Sequence, residues 1–204
     1  MAVQGGSGIK LSIDDILPDL KFNKNQNPRL VHRLDKDTSG ILLIAINRQS
    51  ADILTLAFKN KQIEKTYIAV VKGKPSQKSG VIDLPLIKKF QGKNEKIYVD
   101  KQLGKQAITY YKILKYNKKL DCSLLELKPI TGRTHQLRVH LKEIGHVIIG
   151  DYKYGGKNAN IQDNTPQNSK NRLQLHATRI VINDFFEKKL TINTPIPDDF
   201  IIKT

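Results

Sequence analysis

An α+β fold, with a mixed and mostly antiparallel central sheet flanked by helices and loops, is what this sequence predicts. Three observations predict it: strand-like segments outnumber helical ones, no regular strand–helix–strand alternation runs along the chain, and no segment repeats another. At 204 residues the chain suits a single domain with its own core, so neither disulfides nor a structural metal is needed for stability.

In chain order, residues 1–28 are loop-rich, with GGSG at 5–8 and NKNQNP at 23–28. Between them Ser12 is placed to cap a short helix reaching Leu20, with Asp14 and Asp15 in its first turn and Pro18 limiting its length. GILLIAI (40–46) reads as a buried strand. Residues 49–59 carry apolar side chains at 53, 54, 57 and 58, which is helical spacing. KTYIAVVKG (65–73), VIDLPLI, KIYVD, QAITYYKILKY and CSLLELKP then follow as strands separated by Gly, Lys and Asn turns. THQLRVHLKEIG predicts a helix, with Leu137, Leu141 and Ile144 at i, i+4 and i+7 and Gly145 as its stop. Residues 155–172 are polar and without period, so they read as a long surface loop; LQLHATRIVIN and KKLTINTP close the chain as two strands.

The composition bounds the function. The formal net charge is +16, an excess that attracts polyanions, nucleic acid foremost. Lysine, asparagine and isoleucine are abundant together, as any AT-rich coding sequence dictates, so the lysines alone are weak witnesses. The seven arginines are scarcer, and Arg33, Arg133 and Arg138 all fall in the motif-like segments below. The one cysteine, Cys122, builds no disulfide framework and sits among apolar strand residues, which suits a reducing compartment and a packed position better than a nucleophile. No apolar run reaches the ~18 residues a membrane span needs, and the N-terminus shows no signal peptide, so the expected setting is the cytoplasm.

Three segments are candidates for chemistry. V-H-R-L-D-K-D-T-S-G-I-L-L-I-A (31–45) holds two aspartates in a turn before apolar residues. It is no calcium loop: counting from Asp35, the twelfth position, where a glutamate is required, is Ile46. Asp37 to Gly40 suit a plain Asx/ST turn. Asp35, next to Leu34, is a partly desolvated carboxylate that needs a cation to stay ionised. In K-P-I-T-G-R-T-H-Q-L-R-V-H-L (128–141), Arg133 stands at the mouth of a helix, as either an anion binder or an exposed helix-end arginine. His135 and His140 at i, i+5 do not reproduce a zinc-binding H-E-x-x-H, and no metal is expected. In K-T-Y-I-A-V-V-K-G, Tyr67 is either a core aromatic or a platform for a nucleobase.

Together these segments resemble the RNA pseudouridine synthases whose hallmark is H-R-L-D-x-x-T-S-G, here His32 to Gly40. Lys65 to Val71 is similar to their K-x-Y-x-A-x-V, and Gly132 to His140 to their G-R-T-H-Q-[IL]-R-V-H. G-D-x-x-Y-G (150–155), L-x-L-H-A (173–177) and P-I-P-D (195–198) follow in the expected order, and V-Q-G-G-S-G (3–8) is most similar to the C branch that acts on large-subunit ribosomal RNA. The resemblance implies the pseudouridine synthase fold and isomerisation of specific uridines in that RNA. Asp35 would be the catalytic aspartate, Arg133 its partner, and Tyr67 would lie against the base. Leu137 and Leu175 would wall the pocket. Arg33 would fill the stack left by the flipped nucleotide, at a site where flipping costs a few kcal/mol, and His32 and Arg138 would also contact RNA. No cofactor and no metal are implied, because the isomerisation is redox-neutral; ribosomal RNA is the expected partner of a monomer. The family's usual first strand and its S4 domain have no counterpart in the motifs here, so the expected unit is a catalytic domain without them. The competing expectation is an RNA-binding remnant with weak or no catalysis.

Overall fold

A computed structural model describes residues 3, 11–21, 25–92, 94–160, 172–185 and 188–202. The chain opens with helix α1 (Ile13–Ile16) running into a 3-10 turn (Leu17–Leu20), then the two-residue strands β1 (Arg29–Leu30), β2 (Ser39–Gly40) and β3 (Ile44–Ala45), then helix α2 (Arg48–Lys59). Six longer strands follow: β4 (Ile63–Lys72), β5 (Ser79–Asp83), β6 (Leu86–Gln91), β7 (Asn94–Val99), β8 (Ile108–Asn117) and β9 (Cys122–Pro129). Helices α3 (Gln136–Glu143) and α4 (Tyr152–Gly155), a 3-10 turn (Gly156–Ala159), and strands β10 (Leu175–Phe185) and β11 (Lys188–Asn193) complete it. The chain divides into two compact units, Met1–Glu64 with Arg179–Thr194, and Lys65–Thr178 with Pro195–Thr204. Strands β4 and β10 run from one unit into the other.

In the first unit, Ser12 caps α1 as expected: the Asp15 carboxylate accepts from its main-chain N–H (2.8 Å) and its hydroxyl (2.7 Å). Those two bonds hold the Asp15 carboxyl below its ordinary range. Helix α2 matches its predicted span. Asn47 caps it by accepting from the Ser50 N–H (2.8 Å), while Ser50 Oγ accepts from the Asn47 N–H (3.2 Å). Its buried face, Ala51, Leu54 and Ala57, packs with Ala45, Ile63, Ile180 and Ile182. Strands β10 and β11 pair antiparallel, Ile180 opposite Ile192, with a bulge between Ile182 and Phe185.

GILLIAI differs from the expected buried strand. Ile44–Ala45 pairs with Arg29–Leu30 and Gly40 ends β2, which pairs with β10, but 41–43 join no strand and Ile46 is 44% exposed. The physical reason is local: the Leu43 N–H donates to His32 Nε2 (2.8 Å) instead of to a neighbouring strand. Ile41 and Leu43 therefore reach the core from an irregular segment.

In the second unit the antiparallel order is β4–β9–β8–β5, with Ala69 opposite Leu125, Tyr111 opposite Leu127 and Val81 opposite Tyr110. Period-two alternation gives β4 two buried faces. Tyr67, Ala69 and Val71 join Leu125, Leu127, Leu137, Leu141 and Leu175 on one, while Ile68 and Val70 join Cys122, Leu124, Ile149 and Phe200 on the other. Cys122 is fully buried, gives its thiol to Leu120 O (3.2 Å), and has a pKa pushed up to about 11 by burial. It is a packed strand residue, protonated at neutral pH. Most of the predicted 155–172 loop lies outside the described residues, though Gly156–Ala159 forms a 3-10 turn.

Among the described residues no helix is long and apolar enough to cross a membrane.

Candidate functional site

Asp35 belongs to the first unit. It is half-buried beside buried Leu34, and its carbonyl accepts from the Thr38 N–H (2.9 Å), closing the turn. The turn is thus a main-chain turn, followed by Gly40 at φ +116°, a conformation in which a Cβ is strained. Arg33 is exposed two residues before Asp35. His32 faces inward. Besides accepting from Leu43, its ring lies 4.8 Å from that of Phe58 on α2. The imidazole expected to meet RNA therefore anchors the Asp35 segment to the first core.

The other predicted residues lie in the second unit, where three of them come together. Tyr67 is half-buried at the margin of the apolar cluster that contains Leu137 (7% exposed) and Leu175 (2%). An aromatic ring is thus held against an apolar wall by β4, α3 and β10.

Arg133 is exposed, in the turn between β9 and α3. Its Nε donates to Gln106 O (3.0 Å), and its main-chain N–H donates to Gln136 Oε1 (3.0 Å). The next turn carries strain: His135, the cap of α3, sits in the left-handed region at φ +50°, which costs a non-glycine residue about 1–3 kcal/mol. It is held there by a 2.7 Å hydrogen bond between its Nδ1 and the Tyr154 hydroxyl, which also accepts from the Ile97 N–H (3.2 Å).

Gln136 is the organiser that sequence reasoning missed. Its Oε1 accepts from the Arg133 N–H and the Thr131 hydroxyl (2.7 Å); its Nε2 donates to Ile108 O (2.9 Å) and Thr109 Oγ1 (3.0 Å). Gln136→Leu strips all four, at about 0.5–1.5 kcal/mol for each bond lost. The expected outcome is a clear drop in the urea midpoint together with a loss of whatever activity Arg133 supports.

Helix α3 forms within THQLRVHLKEIG as expected, and Gln136 through Leu141 are all buried. Polar side chains enclosed on every side need internal partners. His140 has them: Nδ1 lies 2.9 Å from the Thr109 hydroxyl and Nε2 3.0 Å from Leu84 O. Burial lowers its pKa from the ordinary 6.5. Unfolding restores the ordinary value, so the unfolded chain binds the extra proton first. Stability is then expected to fall as pH drops below about 6.5, reaching its full loss below the depressed folded value. Urea titrations on either side of pH 6.5, with His140→Gln flattening the difference, check this.

Arg138 departs from the RNA contact expected of it. It is 4% exposed, and its Nε and Nη2 donate to the two Asp151 oxygens at 2.9 and 2.7 Å. Its guanidinium also lies 5.2 Å from the Tyr154 ring centre. The sequence signal for this pairing was present in G-D-x-x-Y-G, where Asp151 also accepts from the Tyr154 N–H (3.2 Å).

A family model described as RNA pseudouridylate synthase matches residues 1–143. The chain is 44% identical over 202 residues to a ribosomal large subunit pseudouridine synthase C from Rickettsia bellii, covering 98% of itself and 64% of that protein. It is 40% identical over 201 residues to an uncharacterized RNA pseudouridine synthase from Zymomonas mobilis, covering 98% of itself and 85% of that protein. Among solved structures, human RNA pseudouridylate synthase domain containing 4 superposes with a TM-score of 0.79 at 27% identity, over 98% of this chain and 84% of that one. The chain thus spans a little under two thirds of the Rickettsia protein. With motif, fold and relatives agreeing, it belongs to the RNA pseudouridylate synthase family.

Proposed function

We propose that this protein is an RNA pseudouridine synthase that isomerises specific uridines of large-subunit ribosomal RNA. One observation carries the proposal furthest: the Tyr67 ring at the edge of the apolar wall made by Leu137 and Leu175. A base out of its stack gains a π-face and an apolar lining there, which offsets part of the few kcal/mol that flipping costs. The net charge of +16 suits the phosphate backbone that accompanies such a base.

On this reading Asp35 carries the chemistry. The N1–C1′ bond breaks, the base turns, C1′ joins C5, the C5 proton leaves to water and N1 takes one up. The product has the composition and oxidation level of uridine, so no redox partner is required. Arg133 is the supporting cation of this scheme, exposed in the turn between β9 and α3. Exposed Arg33 occupies the gap in the stack. His32 and Arg138, both turned inward, act by holding the Asp35 segment and α3 in place. The protein works in the cytoplasm as a monomer, with ribosomal RNA as its partner.

Carbodiimide mapping by reverse transcription of an unmodified large-subunit ribosomal RNA transcript tests this. Discrete new stops after incubation with the protein are expected. A transcript unchanged after full binding would contradict the proposal.

A further inference from the structure

Lys65 is a cation that the scheme above leaves unused. It opens the second unit on β4, two residues before Tyr67. Alternation puts it on the Tyr67, Ala69, Val71 side of the strand. Its side chain runs to the turn that carries Arg133: a Cβ built on Gly132 would stand 3.5 Å from Nζ. The ammonium thus lies beside the same turn, on the same strand face as the ring proposed to hold the base.

Its setting is unusual for a lysine. It is half-buried, and burial lowers its pKa from the ordinary 10.5. Yet among the described residues no carboxylate forms an ion pair with it. Arg138, a buried cation of the same unit, has Asp151 in bidentate contact. Withdrawing an ammonium from water without a counter-charge is costly. A cation kept there at that cost is placed for an anion that the described residues do not supply.

We propose that Lys65 is an RNA-binding residue whose ammonium receives the backbone phosphate next to the uridine lying on Tyr67. The proposal rests on the pseudouridine synthase reading of this site. The phosphate is the one permanent anion that such a substrate brings. Strand geometry separates residues i and i+2 by about 6.7 Å, of the order of the reach from a base to its own backbone. A lysine, as a compact point charge, takes a phosphate without the bidentate fit an arginine demands. The lowered pKa adds a pH signature: affinity weakens on the alkaline side at a lower pH than an ordinary lysine would give.

The test uses the whole chain and unmodified large-subunit ribosomal RNA transcript, with affinity measured across a salt series. Lys65→Met keeps the stem and removes the charge. It is expected to weaken binding about threefold to tenfold at low salt and to reduce the salt slope by about one. Its melting temperature should equal or exceed that of the wild type, because an uncompensated charge has gone. Lys65→Arg should restore the slope. An unchanged slope overturns the proposal, and so does a lower melting temperature with unchanged affinity, which would mean a packing role. Loss of turnover at saturating RNA with affinity intact also overturns it, since the charge would then act on the base. If the slope falls with Lys65→Met while the wild type makes no pseudouridine, the phosphate contact stands and the enzyme reading fails. The opposite pair of results separates them the other way.

Discussion

Asp35→Ala is expected to abolish turnover, by about 10⁴-fold or more, the scale on which loss of a central catalytic carboxylate has been felt, while RNA affinity stays within about twofold. The two halves follow from different physics. Catalysis needs a charged group at the reacting sugar and base, and half-buried Asp35 beside Leu34 is the carboxylate of the segment that the family motif carries. Binding is dominated by cations meeting phosphates, and removing one negative charge takes nothing from it. Asp35→Asn, which keeps the shape, should behave the same way. Parallel measurement of single-turnover rate and filter-binding affinity checks both halves. A large loss of affinity would mean that Asp35 organises the RNA surface instead of performing chemistry.

The second large effect is on stability. Arg138→Met is expected to cost about 3–5 kcal/mol, because it leaves the Asp151 charge buried without its partner. Both side chains are almost fully enclosed, at 5% and 1% exposure, so solvent screening gives little relief. For a chain of this length each kcal/mol moves the midpoint by about 2–4 °C, so the thermal transition should fall by about 10 °C. Adding Asp151→Asn to that variant should recover part of the loss, since the orphaned charge is then gone. If Arg138 instead met RNA from the surface, Arg138→Met would weaken binding and leave the melting curve alone.

The contrast between Arg138 and Arg133 shows what was legible in the sequence. Both lie in one motif, and residue type alone assigns both to anions. Arg133 is exposed in a turn while Arg138, five residues on, is walled in. The difference arises because the first six residues of α3 are all buried, and a three-residue apolar stripe at 137, 141 and 144 did not announce that. Gln136 was invisible for the same reason: a glutamine becomes an organiser only when Thr131, Ile108 and Thr109 converge on it, and those partners come from β8 and the turn after β9. Long periodic segments fared better. Helix α2 and strands β4, β8 and β9 stand where their patterns put them, because each buries a face whose period local sequence displays. GILLIAI failed as a strand because a histidine eleven residues away took the hydrogen bond that a strand would have made. Residue type and strand position alone assign no role to Lys65. Its placement beside Gly132, with no ion-paired carboxylate among the described residues, marks it as more than a strand-end cation.

The central claim is that this chain converts uridine to its C5-linked isomer through Asp35. Tritium at uridine C5 is lost to water only when C1′ takes that position. Unmodified large-subunit ribosomal RNA labelled at C5 should release tritium with the wild-type protein and none with Asp35→Ala. Binding without release by the wild type, or equal release by both, would contradict it.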